Sequence, residues 1–255
     1  MILKMMKNQF FFVCLAILCL FGTVHSFEWP ANIPKCKPGD ETCIPQTLTQ
    51  LFRHADEIPE LKIPDMDPFV FNQPTTLRTR NPNAPINIVI RNTNTTIYGL
   101  NAMEITQIKG FEKDPRKTKF ELKSFVPFLV TVSNYKSTMN LFALPITTEG
   151  ISNTTISNLE IRQFVDFDVI QKNGKDYIKV KNIRVHLKLS KFSVQFKSKT
   201  GNPTVNDTIN KVVNENWREI YSELKPDLEK NIGEVVKAMV TPIFSDIPYQ
   251  EFFQQ

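Results

Sequence analysis

The C-terminal stretch from Val205 to Ile243 limits the fold of this chain more than any other. Its apolar residues, among them Ile209, Val213, Trp217, Tyr221 and Leu224, recur in steps of three and four, which describes one apolar face of a single very long helix. Asn202-Pro203-Thr204 supplies a start and Thr241-Pro242 weakens the end. Pro226 lies inside the stripe, so a kink or break is expected there, although the stripe keeps its register across it. At roughly 1.5 Å per residue such a helix spans about 60 Å. Few sheets can bury an element that long. A curved antiparallel sheet wrapped around it can, and the wrap leaves an elongated apolar interior between helix and sheet.

The middle of the chain supplies that sheet. Ile86, Ile88 and Ile90 alternate with more polar neighbours, and Phe120, Leu122, Val126, Phe128, Val130 and Val132 share one face of a long strand. The same period of two returns from Gln163 to Val169 and again at Ile183, Val185, Leu187 and Leu189. One apolar face on each strand implies antiparallel sheet that is wet on its other side. Asn173-Gly174 between two such runs predicts a tight hairpin, and a shift of one residue near Lys191, before Phe192, Val194 and Phe196, predicts a bulge. The sum is a curved meander of roughly six or more strands. Ahead of it, Pro45 with Leu48, Leu51, Phe52 and Ala55 predicts a short helix ending before Ile58-Pro59. The proline-rich segment from there to Pro85 reads as an extended connector. The fold class expected is therefore α+β, a long C-terminal α-helix wrapped by a highly curved antiparallel β-sheet.

Residues 1–26 have the form of a secretory signal peptide. Lys4 and Lys7 precede an apolar run from Phe10 to Phe21, and Val24-His25-Ser26 offers small residues for cleavage. That run is about 12 residues, short of the roughly 20 that a spanning helix needs, so the rival reading of an uncleaved anchor is the weaker one. Residues 27–255 are then a single exported domain. Cys14 and Cys19 leave with the leader, and Cys36 and Cys43 remain to close a short loop in an oxidising compartment. A metal site is the competing use of that pair, but no histidine lies near enough to complete a ligand set. Asn94, Asn153 and Asn206 each begin a glycosylation sequon.

Several function classes find little support. The formal charge is +5 with the leader and +3 without Lys4 and Lys7, and the basic residues are scattered among alternating strands, which speaks against nucleic acid as a partner. His54 and His186 stand in no nucleophile motif, and Asp166 and Asp168 share a strand face that reads as solvated. The eight glycines do not cluster into a phosphate loop. No enzyme, cofactor or metal centre is expected. Phenylalanine is abundant instead, 20 residues against two tryptophans. Such side chains usually fill a core, yet they also suit a pocket for a ligand of low polarity.

Three stretches together resemble the insect haemolymph juvenile hormone binding protein and takeout family. The first is Pro34-Lys35-Cys36 with Cys43, then Ile58-Pro59-Glu60-Leu61-Lys62-Ile63-Pro64 and Asp67-Pro68. Tyr135 with Leu144-Pro145-Ile146 and Gly150 is similar to the family's central hairpin. Asn214-Glu215-Asn216-Trp217-Arg218-Glu219, Leu224-Lys225-Pro226, Ile247-Pro248-Tyr249 and Phe252-Phe253 are similar to its closing signature. The resemblance implies a tubular lipid-binding fold of the super-roll type, with a tunnel for a lipid-like ligand and a Cys36–Cys43 disulfide near its mouth. The chain departs from the family pattern at Met139 and Thr148, where glycine is common, and at Lys197-Ser198-Lys199, which replaces an apolar segment.

The reading that follows is a secreted, monomeric carrier of a small hydrophobic ligand such as a terpenoid or fatty acid, without integral membrane association. Its alternative is an extracellular signalling protein of the same fold that meets a cell-surface receptor through its outer face. The residues expected to line the tunnel are Phe120, Leu122, Val126, Phe128 and Val130 on the long strand, with Trp217, Tyr221 and Leu224 on the helix.

Overall fold

The structure, a computed structural model, describes residues 29–30, 33–58, 61, 63–81, 84–142, 144–199 and 203–254. The expected leader, residues 1–26, lies outside the described residues, as do Pro59, Glu60, Lys62, Pro82 and Asn202. Helix α1 (Cys43–Arg53) comes first. It begins two residues before the expected Pro45, because the Asp40 carboxylate accepts the amide N–H groups of Thr42 and Cys43 at 3.0 and 2.8 Å. Those bonds satisfy donors that a helix start leaves unpaired, and they hold the Asp40 carboxyl below its ordinary range.

Eight strands follow: β1 (Phe69–Phe71), β2 (Thr75–Arg78), β3 (Ile86–Tyr98), β4 (Glu104–Lys109), β5 (Phe120–Leu141), β6 (Leu144–Lys172), β7 (Lys175–Lys188) and β8 (Lys191–Ser198). They form one antiparallel sheet that does not close, ordered β1-β3-β5-β6-β7, with β2 on β3, β4 on β5 and β8 on β6. The expected Asn173-Gly174 turn joins β6 to β7, with both residues at positive φ. Two strands are far longer than the usual five or six residues: β5 has 22 and β6 has 29.

Strands of that length bend along a crease. Inward residues on β5 are even-numbered up to Val126 and odd-numbered from Leu129, with Pro127 and Phe128 both exposed between them. Opposite, Asn158 of β6 sits at φ 50°, and the inward set passes there from Ile156 to Leu159. Between β7 and β8 the chain leaves the ladder at Leu189–Ser190, beside the shift expected near Lys191, and Asn158 Nδ2 donates to Ser190 Oγ at 2.9 Å. Gly99, at φ 91°, continues the line beyond β3, since a Cβ there would collide with the carbonyl oxygen of Phe128. Breaks at one level across neighbouring strands let the sheet curl without losing its alternation on either side.

The C-terminal helices close the curl. Helix α2 (Pro203–Glu215) and helix α3 (Trp217–Asp246) are separated by Asn216, at φ −103° and ψ 20°. The break therefore lies at Asn216 and not at the expected Pro226, through which α3 continues. Asn216 Nδ2 donates to the Val212 carbonyl at 2.8 Å and ends α2 there. Around Pro226 the helix is held on both sides, which offsets the roughly 3 kcal/mol that an internal proline costs. Asp227 accepts from the amide of Arg78 at 3.0 Å and Asn231 donates to the carbonyl of Thr76 at 3.1 Å, both on β2. Glu229 accepts from the amide of Leu187 on β7 at 2.8 Å. One short stretch of α3 thus caps two edges of the open sheet. Gly233 lets it approach β7 closely, because any Cβ there would strike the carbonyl oxygen of Ile183.

Candidate functional site

Between the inner face of the sheet and α3 lies a cavity of about 390 Å³, within the ~300–1,000 Å³ of small-molecule sites. Its wall runs from Trp29, Leu48, Phe52 and Phe252 at the end carrying the disulfide to Phe196, Val213 and Ile220 beside α2. Leu228, Ile232 and Val236 of α3 form the long side facing the sheet. The disulfide Cys36–Cys43 is formed, and Cys36 itself touches the cavity. Its carbonyl accepts the amide of Gln254 at 2.9 Å, and Cys36 bridges to Phe253, so the two ends of the domain are tied together over one end of the cavity.

Of the side chains expected to line this space, Phe120, Leu122 and Leu224 do so. Phe120 is fully buried and stacks against Phe111 and Phe167, with ring centroids 4.0 and 4.3 Å apart. Val126 is buried completely in the core and does not reach the cavity. Phe128 and Val130 correct the expectation more strongly. Phe128 is 53 % exposed, and Val130 pairs with exposed Tyr98 on the outer face. The crease at Pro127 reverses the facing of the strand, so Leu129, Thr131 and Ser133 line the cavity instead. Trp217 is also not in the wall; it lies at the α2–α3 junction with the Arg218 guanidinium 4.7 Å from its ring centre. Tyr221 is turned to the sheet edge, where its hydroxyl donates to the Leu187 carbonyl at 3.3 Å. Burial, with Glu229 nearby, pushes its pKa up to about 12, so the hydroxyl stays a donor.

The missed wall residues carried one signal, Pro127 inside an otherwise regular strand, since proline there marks a bulge or an edge. The polar groups set aside in the sequence lie elsewhere. His54 pairs with Glu57 at 3.0 Å, Asp166 with Arg184 at 3.3 Å and Asp168 with Lys181 at 2.8 Å, all on exposed surface. Among the described residues no group of three or more His, Cys, Asp or Glu could hold a metal, and no helix is long and apolar enough to cross a membrane. Asn94 and Asn153 are exposed and Asn206 is partly so. Thr148, where the family often has glycine, shares a buried hydrogen bond of 3.2 Å with the Tyr135 hydroxyl, and Met139 fills core beside it.

Residues 13–254 match the family profile described as "Haemolymph juvenile hormone binding protein (JHBP)". The chain is 23% identical over 234 residues to the circadian clock-controlled protein daywake of Drosophila melanogaster, covering 89% of each. Among solved structures it is similar to Takeout 1 of Epiphyas postvittana, with a TM-score of 0.71 and 18% identity, over 87% of this chain and 99% of that one. The shared fold extends over nearly the whole described domain.

Proposed function

The chain belongs to the haemolymph juvenile hormone binding protein family, and we propose that it is a secreted carrier that holds a small hydrophobic ligand between its sheet and α3. The observation that carries this reading is the apolar cavity of about 390 Å³. Burying an apolar ligand there is worth roughly 25 cal/mol per Å² of surface removed from water. Residues 1–26 would direct export, and Asn94, Asn153 and Asn206 would be glycan acceptors in that compartment.

The test is purification from a eukaryotic secreting host, followed by native mass spectrometry and organic extraction. A co-purifying lipid or terpenoid, or saturable binding of an apolar fluorescent probe, is the expected result. Absence of both would overturn the carrier reading. One observation favours a second reading, in which the outer surface meets a receptor. Val70, Tyr98 and Phe128 are all exposed on the outer face of neighbouring strands, and exposed apolar clusters often mark contact sites.

A further inference from the structure

Among the described residues, none that lines the cavity carries a charge. Arg162 of β6 and Arg184 of β7 belong to the outer face, where they pair with Glu121 at 2.7 Å and Asp166 at 3.3 Å. A carboxylate brought into the interior would lose its water and meet no cation in exchange, and an ion buried without a partner is the least favourable cargo for such a space.

On the disulfide side of the crease, one polar side chain stands in an apolar part of the wall. Gln163 of β6 lines the cavity and is partly buried. Its partners across the ladder are Leu122 of β5 and Val185 of β7, and the inward residues beside it on β6 are Ile161 and Val165. Ser124, the inward residue after Leu122 on β5, is buried away from the cavity with its hydroxyl sealed off. Among the described residues nothing hydrogen-bonds to the Gln163 side chain. Nor is its amide one of the sealed polar groups, which belong to Asn92, Ser124 and Ser137, so it is open to the cavity. A water held against these neighbours would have only the amide to bond, whereas ordered internal waters make about three bonds. Leucine would fill the position with no polar atom to satisfy.

We propose that Gln163 is the polar anchor of this part of the cavity, and that the ligand is a long apolar molecule carrying an uncharged oxygen group that accepts from Gln163 Nε2. This rests on the carrier reading and deepens it. A hydroxyl fits best, since it can also donate to Oε1. A pure hydrocarbon leaves the amide unpaired, and a carboxylate meets Oε1 without any cation to balance it. One amide in a wall without charge therefore selects alcohols over both.

The test measures binding of the hydrocarbon probe diphenylhexatriene to the full secreted chain at neutral pH, and its displacement by dodecanol and by dodecanoate. Wild type is expected to bind the alcohol about tenfold tighter than the carboxylate. Gln163→Leu should weaken the alcohol by about tenfold and leave the probe within about twofold. Gln163→Met, unbranched and of similar length, should do the same, and it carries the comparison if the leucine variant does not fold. Equal affinity of wild type for alcohol and carboxylate would overturn the inference and leave the carrier reading standing, as would probe binding that neither compound displaces. Unchanged alcohol affinity in the variants, or equal weakening of alcohol and probe, would remove Gln163 as the anchor. Failure of the probe and both compounds to bind wild type would overturn the carrier reading as well.

Discussion

Phe128 and Leu129 are adjacent in the chain and opposite in environment: one is 53 % exposed and the other 6 %. Both are large and apolar, so composition does not separate them, and the period of two that runs from Phe120 assigns Phe128, not Leu129, to the inner face. Only the preceding Pro127, which has no N–H to give the ladder, hints that the strand turns over there. We predict that Leu129→Ser lowers unfolding free energy by about 2–4 kcal/mol, the cost of a core truncation with a buried hydroxyl. Phe128→Ser should stay within about 0.5 kcal/mol of wild type, as surface changes do. Urea midpoints of the two variants check this, and a large loss for Phe128→Ser would show that the strand does not reverse at Pro127. The same reversal explains why Phe120 and Leu122 were legible as cavity residues from alternation while Phe128 and Val130 were not. The first pair lies before the crease and the second beyond it.

Strand β8 borders α2, and its exposed edge is managed by side chains of that helix. Asn210 accepts from the amide of Phe196 at 2.7 Å and donates to its carbonyl at 3.1 Å. One turn later Asn214 does the same for Val194, at 2.9 and 2.8 Å. Two asparagines spaced by four on one helix face thus imitate a neighbouring strand, which covers an edge otherwise open to pairing with another chain. Asn214→Ala should cost about 1–3 kcal/mol, since it leaves both backbone groups of Val194 unpaired. It should also speed hydrogen exchange at the Val194 amide more than at β5 amides. Unchanged exchange at Val194 would show that the pairing contributes nothing. The helical period of this region was plain in the sequence, but the role of its asparagines was not. A polar face predicts solvent unless the edge of a sheet is known to lie against it. The continuity through Pro226 has the same origin, for it depends on the strands that hold Asp227, Glu229 and Asn231.

At the scale of the whole molecule, Asp176 joins three segments distant in sequence. Its carboxylate accepts from the Arg116 guanidinium at 2.6 and 2.8 Å and from the Gln250 amide at 3.4 Å. The Arg116 hydrogen bonds outweigh the opposing effect of burial and hold the Asp176 carboxyl below its ordinary value of 3.8. A carboxyl depressed in the folded state stabilises above its unfolded pKa, and that stability is lost as pH falls through the lower folded value. Stability should therefore decline as pH falls below about 4, and Asp176→Asn should flatten part of that decline. Urea midpoints measured from neutral pH down to pH ~3 check this; identical slopes in wild type and variant would remove Asp176 from the account. By itself the sequence determined the α+β class, the long C-terminal helix and the antiparallel sheet that must bury it, because periods of 3.6 and two are local properties of a chain. It also brought Cys36 and Cys43 within reach of one another. The tertiary structure alone decided where the sheet creases and which face of each strand meets the cavity. Those features depend on register between strands far apart in sequence, and a shift of one residue exchanges inside for outside.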